Sequence, residues 1–253
     1  MEIDKNESAP ERGIVRLSKL IEKAERIVFF GGAGTSTESG IRDFRGEGGL
    51  YSEQEETTPP EEILSHSFFL RDPETFYRYY RRHFLATGLK PNACHEALAR
   101  LEKAGRLTCV VTQNIDGLHE DAGSVNVQHL HGTVTTYTCM HCRRKYPLSY
   151  LLATEGIPHC GCGGIIRPDV VLYGENLPAA PFEAAAAAIA EADLLLVGGT
   201  SLTVYPAAGL IRYFRGSDLV ILNKQPTPYD EYASLILRAP IGKVLGEAVR
   251  GIV

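Results

Sequence analysis

Apolar residues at Ile14, Leu17, Leu20 and Ile21 recur at helical spacing and predict a helix over 11–24. An unbroken apolar run follows, Ile27-Val28-Phe29-Phe30, and glycines come directly after it. A short β-prone run ended by glycine predicts a strand over 26–31, buried on both faces. Residues 47–60, with glycines, acids and Pro59-Pro60, predict a loop. The pattern over 61–86 is helical, broken near Asp72-Pro73, where Pro73 suits a first helical turn. A helix over 94–104 leads into a strand over 106–112, and a short strand over 127–130 ends at His131. Beyond the cysteine-bearing stretch 134–166, Val170 to Tyr173 is apolar and β-prone. The alanine-rich stretch 181–192 suits a helix. Strands are expected at 194–198, 219–223 and 233–237, and helices at 205–214 and 241–252. Strands that alternate with helices and are apolar throughout predict an α/β fold, its parallel sheet covered on both faces.

Composition narrows this picture. At 253 residues the chain is long enough for a substantial core, as one large domain or one and a half. Its 44% hydrophobic and 23% charged residues are those of an ordinary globular protein. A net charge of -5 gives no general attraction to nucleic acid or to anionic lipid. No apolar run reaches the roughly 18 residues of a membrane span, and the acidic, polar start MEIDKNESAPERG argues against a signal peptide. No membrane partner and no sequence-specific nucleic acid are therefore expected, and the expected compartment is the cytoplasm. The aromatic and basic segment FYRYYRRHFL has no wider basic patch around it, which favours an amphipathic helix with its rings buried over a nucleic-acid surface.

Six cysteines are present. Cys94 and Cys109 sit in helix-like and strand-like patterns and read as small buried hydrophobes. The other four form two close pairs, Cys139/Cys142 and Cys160/Cys162, with 17 residues between the pairs. Without a secretion signal, such pairs are metal ligands rather than disulfides, and the spacing suits a tetrahedral structural zinc. Four thiolates leave no open position, so that metal is not catalytic.

The stretch GGAGTSTESGIRDFRG, residues 31–46, is where the chemistry gathers. Glycines 31, 32 and 34 allow a sharp turn and a close approach to phosphate. Thr35, Ser36, Thr37 and Ser39 can cap a short helix whose N–H groups favour an anion. The spacing is not GxGxxG, and a tight strand–helix turn with no ligand looks much the same. The charged and aromatic residues Arg42, Asp43, Phe44 and Arg45 follow, as either a solvated loop or a flap over a bound cofactor. Three polar groups, Gln113, Asn114 and Asp116, come directly after a buried strand, the end at which open α/β sheets bind ligands. A loop capping the next helix accounts for Asp116 alone. His131 also stands at a strand's carboxyl end.

Residues 31–46 resemble the Sir2 (sirtuin) family motif GAGxSxxSGIPDFRG, with Arg42 standing where most members have proline. That departure implies a change in loop stiffness with function retained. TQNIDGLH at 112–119 matches the family's TQNIDxLH, LHG at 130–132 matches its histidine motif, and RPDVVLYGE at 167–175 resembles its substrate strand. The resemblance covers roughly residues 20–250. It implies a Rossmann-like sheet (11–46, 94–133 and 167–253), a helical insert (47–93) and a zinc-ribbon module (134–166), the active site lying between them.

It further implies an NAD-dependent protein-lysine deacylase that consumes NAD as a co-substrate. Gly32, Ala33, Gly34, Thr37, Asp43, Phe44 and Arg45 would hold the phosphates and shield the reacting carbon. Asn114, Ile115 and Asp116 would hold the nicotinamide end and Gln113 the ribose. Gly199, Thr200, Ser201 and Asn223 would serve the other ribose and its phosphate, with Ile241 near the adenine. His131 would be the general base, suited to it by a pKa near neutrality. Val171, Tyr173 and Gly174 would receive the acyl-lysine of a protein or peptide. The family's second cysteine pair is usually C-x2-C. The shorter pair here makes Cys160 the less certain zinc ligand, with His159 as a substitute. Other members are mono-ADP-ribosyltransferases, or desuccinylases and demalonylases marked by Tyr-x-x-Arg in the insert. Here Tyr80 stands three residues after Tyr77 and the nearest downstream arginine is Arg81, so acetyl is the expected acyl group. A non-enzymatic NAD-sensing or zinc-mediated interaction module is the remaining alternative. The oligomeric state is open.

Overall fold

The computed structural model describes residues 10–43, 58–85 and 88–252. Phe44 and Arg45, expected over the cofactor, lie outside the described residues.

Six strands form one parallel sheet: β1 (Ile27–Gly31), β2 (Leu107–Thr112), β3 (Val127–His129), and later in the chain Leu194–Gly198, Asp218–Leu222 and Leu235–Leu237. A smaller antiparallel sheet is built from β4 (Gly132–Cys139), β5 (Lys145–Pro147) and β6 (Ile166–Val170). The last three strands of the large sheet are then β7, β8 and β9, and its order is β3-β2-β1-β7-β8-β9 with every pair parallel. That is the doubly wound order, with its reversal between β1 and β7.

The unbroken apolar strands put alternate residues on opposite faces. Ile27, Phe29, Val110, Leu196 and Val220 meet Leu17 and Ile21 of α1 (Pro10–Lys23) on one face. The partners there also include Leu98 and Leu101 of a helix at Ala93–Lys103 and Val244 and Leu245 of one at Ile241–Val249. Val28, Phe30, Val111, Leu195 and Val197 pack on the other face against Ala185 and Ile189 of a helix at Ala179–Glu191, and against the 3-10 segment Ala207–Tyr213.

A third core lies outside the sheet. α2 (Pro60–Ile63), α3 (His66–Arg71) and α4 (Pro73–Phe84) make the helical insert. Pro73 stands at the start of α4, with the Asp72 side chain accepting from Thr75 N–H. Phe76, Tyr77, Tyr79 and Tyr80 are buried, and these rings pack on Val134, Tyr137 and Ile166 of the small sheet. The Tyr77 hydroxyl donates to the Ile166 carbonyl. The aromatic segment is therefore core, as its amphipathic pattern predicts.

Two expectations need correction. The glycine stretch forms 3-10 turns at Ala33–Thr35 and Thr37–Ser39, not a short capped helix. The strand expected over 170–173 ends at Val170: Val171 N–H still donates to His131 O (2.9 Å), the last ladder bond beside the Gly132–Val170 pair, while Tyr173 N–H turns away to Leu64 O (3.1 Å). Among the described residues no helix is long and apolar enough to cross a membrane.

Candidate active site

The carboxyl ends of β1 and β7 meet at Gly31 and Gly198, and the loops after them are bonded together. Gly32 N–H donates to Gly198 O (3.2 Å) and Gly34 N–H to Gly199 O (2.8 Å). A Cβ on Gly34 would stand 2.7 Å from Gly199 Cα, and one on Gly199, whose φ is +61°, 2.3 Å from Thr35 N. The loops cross only because both positions are glycine. Thr37 bonds Gly34 O (3.0 Å), and Asp43 closes the described part of the loop. Thr200 Oγ1 accepts from Gln113 Nε2 (2.9 Å), tying the β7 loop to the loop after β2. Ser201 is exposed beside it, and Asn223 follows the end of β8. Ile241 is buried, its Cδ1 against Gly198.

Asn114 and Asp116 are organised by a residue that the sequence reading treats only as a cap. The hydroxyl of Ser36, fully buried, donates to Asp116 Oδ2 (2.7 Å) and accepts from Asn114 Nδ2 (3.0 Å). His95 Nε2 lies 3.5 Å from the same oxygen. His95 Nδ1 accepts from Asn92 N–H (3.2 Å), so the ring proton is on Nε2 and points at Ser36. Burial lowers the His95 pKa against the opposing pull of Asp116 and keeps the ring neutral. Asp116 Oδ1 meanwhile accepts from Leu118 N–H (3.0 Å), the start of a short helix at Leu118–Asp121. The plain capping role is thus real, and it uses only one oxygen. Ile115 packs on the third core, and its carbonyl accepts from Val134 N–H (2.9 Å).

His95 has no distinctive motif around it, so only its hydrogen bonds reveal it. His119 is expected to be structural. It is buried with neither ring nitrogen bonded among the described residues, and burial holds its pKa at about 3.

His131 lies between two parts of the site. Its Nδ1 is 2.9 Å from Gln113 O, and its own carbonyl accepts from Val171 N–H (2.9 Å). A carbonyl only accepts, so Nδ1 carries the proton and Nε2 keeps its lone pair. Burial lowers the His131 pKa, more than the Gln113 bond raises it, so the ring is a neutral base near neutral pH. Val171 is partly exposed and Tyr173 exposed, and Gly174 has open space around it.

The four cysteines come together. Their sulfurs all lie within 4.8 Å of one another, with Cys139–Cys162 at 3.6 Å and Cys142–Cys160 at 3.5 Å. A tetrahedron with Zn–S bonds of about 2.3 Å has S–S edges of about 3.8 Å, whereas a disulfide is about 2.05 Å. The set fits zinc. Cys160 is part of it despite the shortened pair, while His159 is exposed with Nδ1 on Ile157 O (2.9 Å).

Arg81 is committed elsewhere. It donates to Leu151 O (2.8 Å), Gly156 O (3.0 Å) and Thr154 Oγ1 (3.1 Å), fastening α4 to the stretch that follows β5. Arg78 bonds Thr75 (3.3 Å).

A doubly wound sheet with glycine loops crossed at its reversal, polar groups on the next strand end and a four-thiolate module beside it defines an α/β protein built to bind a dinucleotide. The Sir2 family model matches residues 32–206. An NAD-dependent protein deacetylase of Clostridium acetobutylicum is 51% identical over 235 residues, 92% of this chain and 96% of that protein. A structure described as the basis for the mechanism and regulation of Sir2 enzymes superposes with a TM-score of 0.86 at 36% identity, covering 96% of this chain and 98% of that one. A Sir2–p53 peptide–NAD+ complex gives 0.82 at 37% identity, covering 94% and 98%. The chain belongs to the Sir2 family.

Proposed function

We propose that this chain is an NAD-dependent protein-lysine deacetylase, releasing free lysine, nicotinamide and O-acetyl-ADP-ribose. The observation that carries the reading is the His131 ring. Its proton is fixed on Nδ1 by Gln113, and it stands between the 113–116 loop and the 171–174 segment. NAD supplies, when bound, a ribose carbon that becomes electrophilic as nicotinamide leaves. Asn114, Asp116 and Ile115 hold the nicotinamide end, and Ser36 fixes the first two. Gln113 is close to the ribose. Nε2 of His131 takes the proton from a ribose hydroxyl. Gly32, Ala33, Gly34 and Thr37 receive the phosphates, and Asp43, Phe44 and Arg45 are assigned to the same part of the cofactor by the motif they belong to. Gly199, Thr200, Ser201 and Asn223 receive the second ribose, with Ile241 near the adenine.

An acylated-lysine peptide lies along Val171, Tyr173 and Gly174. This assignment is supported by the gathering of the described residues at the carboxyl ends of β1, β2, β7 and β8, and by the printed activity of the Clostridium relative. Cys139, Cys142, Cys160 and Cys162 hold a structural zinc. The division into a Rossmann-like part (11–46, 94–133, 167–253), a helical insert (47–93) and a zinc module (134–166) belongs to the same reading, as does a cytoplasmic location.

Acetyl is the preferred group. A succinyl carboxylate needs a paired cation, and Arg81 spends its donors on Leu151, Thr154 and Gly156. Mass spectrometry of products from NAD and an acetyl-lysine peptide tests the function. O-acetyl-ADP-ribose with deacetylated peptide is expected. ADP-ribosylated protein without deacetylation would point to a transferase instead, and neither product would overturn the reading.

A further inference from the structure

The turn after β6 is held by a charged knot that no role above uses. Glu175 N–H donates to Leu172 O (3.0 Å), closing a turn whose third residue, Gly174, has φ +86°. A left-handed third position is what a type II turn requires and glycine supplies. The Glu175 carboxylate closes the same turn from the other side. Its Oε2 accepts from Leu172 N–H (2.8 Å) and from the Arg167 guanidinium, and its Oε1 meets His66 Nδ1 at 2.7 Å. Arg167 also donates to Val170 O (3.0 Å).

His66 belongs to the helical insert, at the start of α3. The backbone joins the same two places: Tyr173 N–H donates to Leu64 O (3.1 Å) and His66 N–H to Tyr173 O (3.0 Å). Burial opposes the Glu175 charge, but Arg167 and the Leu172 N–H outweigh it and hold the pKa below the usual glutamate value. One carboxylate therefore couples β6, the turn and the insert. Its bonds run to His66, Arg167 and Leu172 and to none of Ser36, Gln113 and Gly199.

We propose that Glu175, gripped by His66 and Arg167, is a positioning residue for the acyl-lysine peptide. It fixes the 171–174 segment against the insert before the peptide arrives. This rests on the reading above, that the segment is the peptide's docking edge. A peptide that docks along a segment gains most when the segment is already ordered, because ordering it at binding costs affinity. The knot supplies that order at the peptide's side of the site, so its loss falls on peptide binding and spares NAD.

The test is steady-state kinetics, with acetyl-lysine peptide varied at saturating NAD and then the reverse, on wild type, His66→Ala, Glu175→Gln and Glu175→Ala. His66 is 42% exposed on its side chain, so its truncation leaves no cavity. His66→Ala should raise the peptide KM about three- to tenfold, the scale of one ordinary hydrogen bond, since the half-exposed His66 is screened by solvent. Glu175→Ala should raise it further. Glu175→Gln, which keeps an acceptor for Leu172 N–H and Arg167, should fall between wild type and Glu175→Ala. The turnover at saturating peptide and the NAD KM should stay within about twofold.

An unchanged peptide KM in His66→Ala and Glu175→Gln, which do not threaten the fold, would overturn the proposal. So would an NAD KM that rises in step with the peptide KM, since that marks a general loosening. Failure of the function itself looks different, because wild type would then not turn the peptide over. Equilibrium binding of a fluorescent acetyl-lysine peptide still ranks the variants in that case, and equal affinities would overturn the positioning role.

Discussion

Replacing Ser36 by alanine removes one oxygen and strands two groups. Asn114 Nδ2 loses its 3.0 Å acceptor in a position only 8% exposed, and Asp116 loses a 2.7 Å bond to the oxygen that Leu118 does not serve. A buried donor left unsatisfied costs about 1–3 kcal/mol, and a hydrogen bond to a charged group contributes about 1.5–3 kcal/mol. Partial exposure of Asp116 lowers the second figure, so the expected loss is about 2–4 kcal/mol. That is a large share of a typical folding stability of about 5–15 kcal/mol. Urea denaturation of the zinc-loaded protein measures it, as a lower midpoint at unchanged slope. The catalytic consequence is separate. A nicotinamide pocket whose amide and carboxylate drift should lose at least about tenfold in kcat/KM for NAD, which corresponds to about 1.4 kcal/mol. Ser39→Ala is the control. Ser39 accepts from Asn92 (2.9 Å) in a partly exposed position and should cost less than about 1 kcal/mol. A Ser36→Ala protein within about 0.5 kcal/mol of wild type, with unchanged NAD kinetics, would refute the idea that this hydroxyl organises the site.

His131→Ala should bind NAD and zinc yet turn over roughly 10²-fold more slowly or worse, and near-normal turnover would remove it as the base. Because burial lowers its pKa, the acid limb of the kcat/KM profile should inflect below the ordinary histidine value of about 6.5, and an inflection above that contradicts the assignment. His119 has a folded pKa of about 3 against about 6.5 unfolded, so the unfolded chain takes the proton first. Stability should therefore hold above pH 6.5 or so and fall below it by up to about 1.4 kcal/mol per pH unit, about 2 kcal/mol at pH 5; His119→Gln should flatten that slope, and an identical slope would refute the cause. Elemental analysis should find about one zinc per chain, with chelation loosening the β4–β6 module, and fresh protein without metal would end the zinc assignment. On one peptide carrying either modification, acetyl should exceed succinyl by at least about tenfold in kcat/KM, and a succinyl preference would mean that Arg81 can leave its three bonds to Leu151, Thr154 and Gly156.

The large sheet was legible because each of its main strands is an unbroken apolar run between punctuating residues, a pattern that depends on neighbours in sequence alone. Contacts between loops do not. Ser36 and Asp116 are 80 positions apart, and Ser36 and His95 are 59 apart. Nothing local distinguishes Ser36 from the hydroxyls beside it, and its role appears only when β1, β2 and the Ala93–Lys103 helix are packed. The 170–173 stretch failed as a strand for a related reason. β-propensity describes a side chain that fits a pleated surface, not the partner that its N–H will find. Here Val171 keeps to His131 at the head of β4, whereas Tyr173 finds Leu64 at the end of α2. The glycines carry the sharpest lesson. Read along the chain, 32 and 34 pose a choice between a bare tight turn and a phosphate cradle. In space, Gly34 and Gly199 are required by the crossing of two loops whatever binds there. The two readings are not rivals. A crossing without Cβ atoms brings the carboxyl ends of β1 and β7 to one point at the reversal of the sheet, the place where a ligand can be held by both halves of the fold at once.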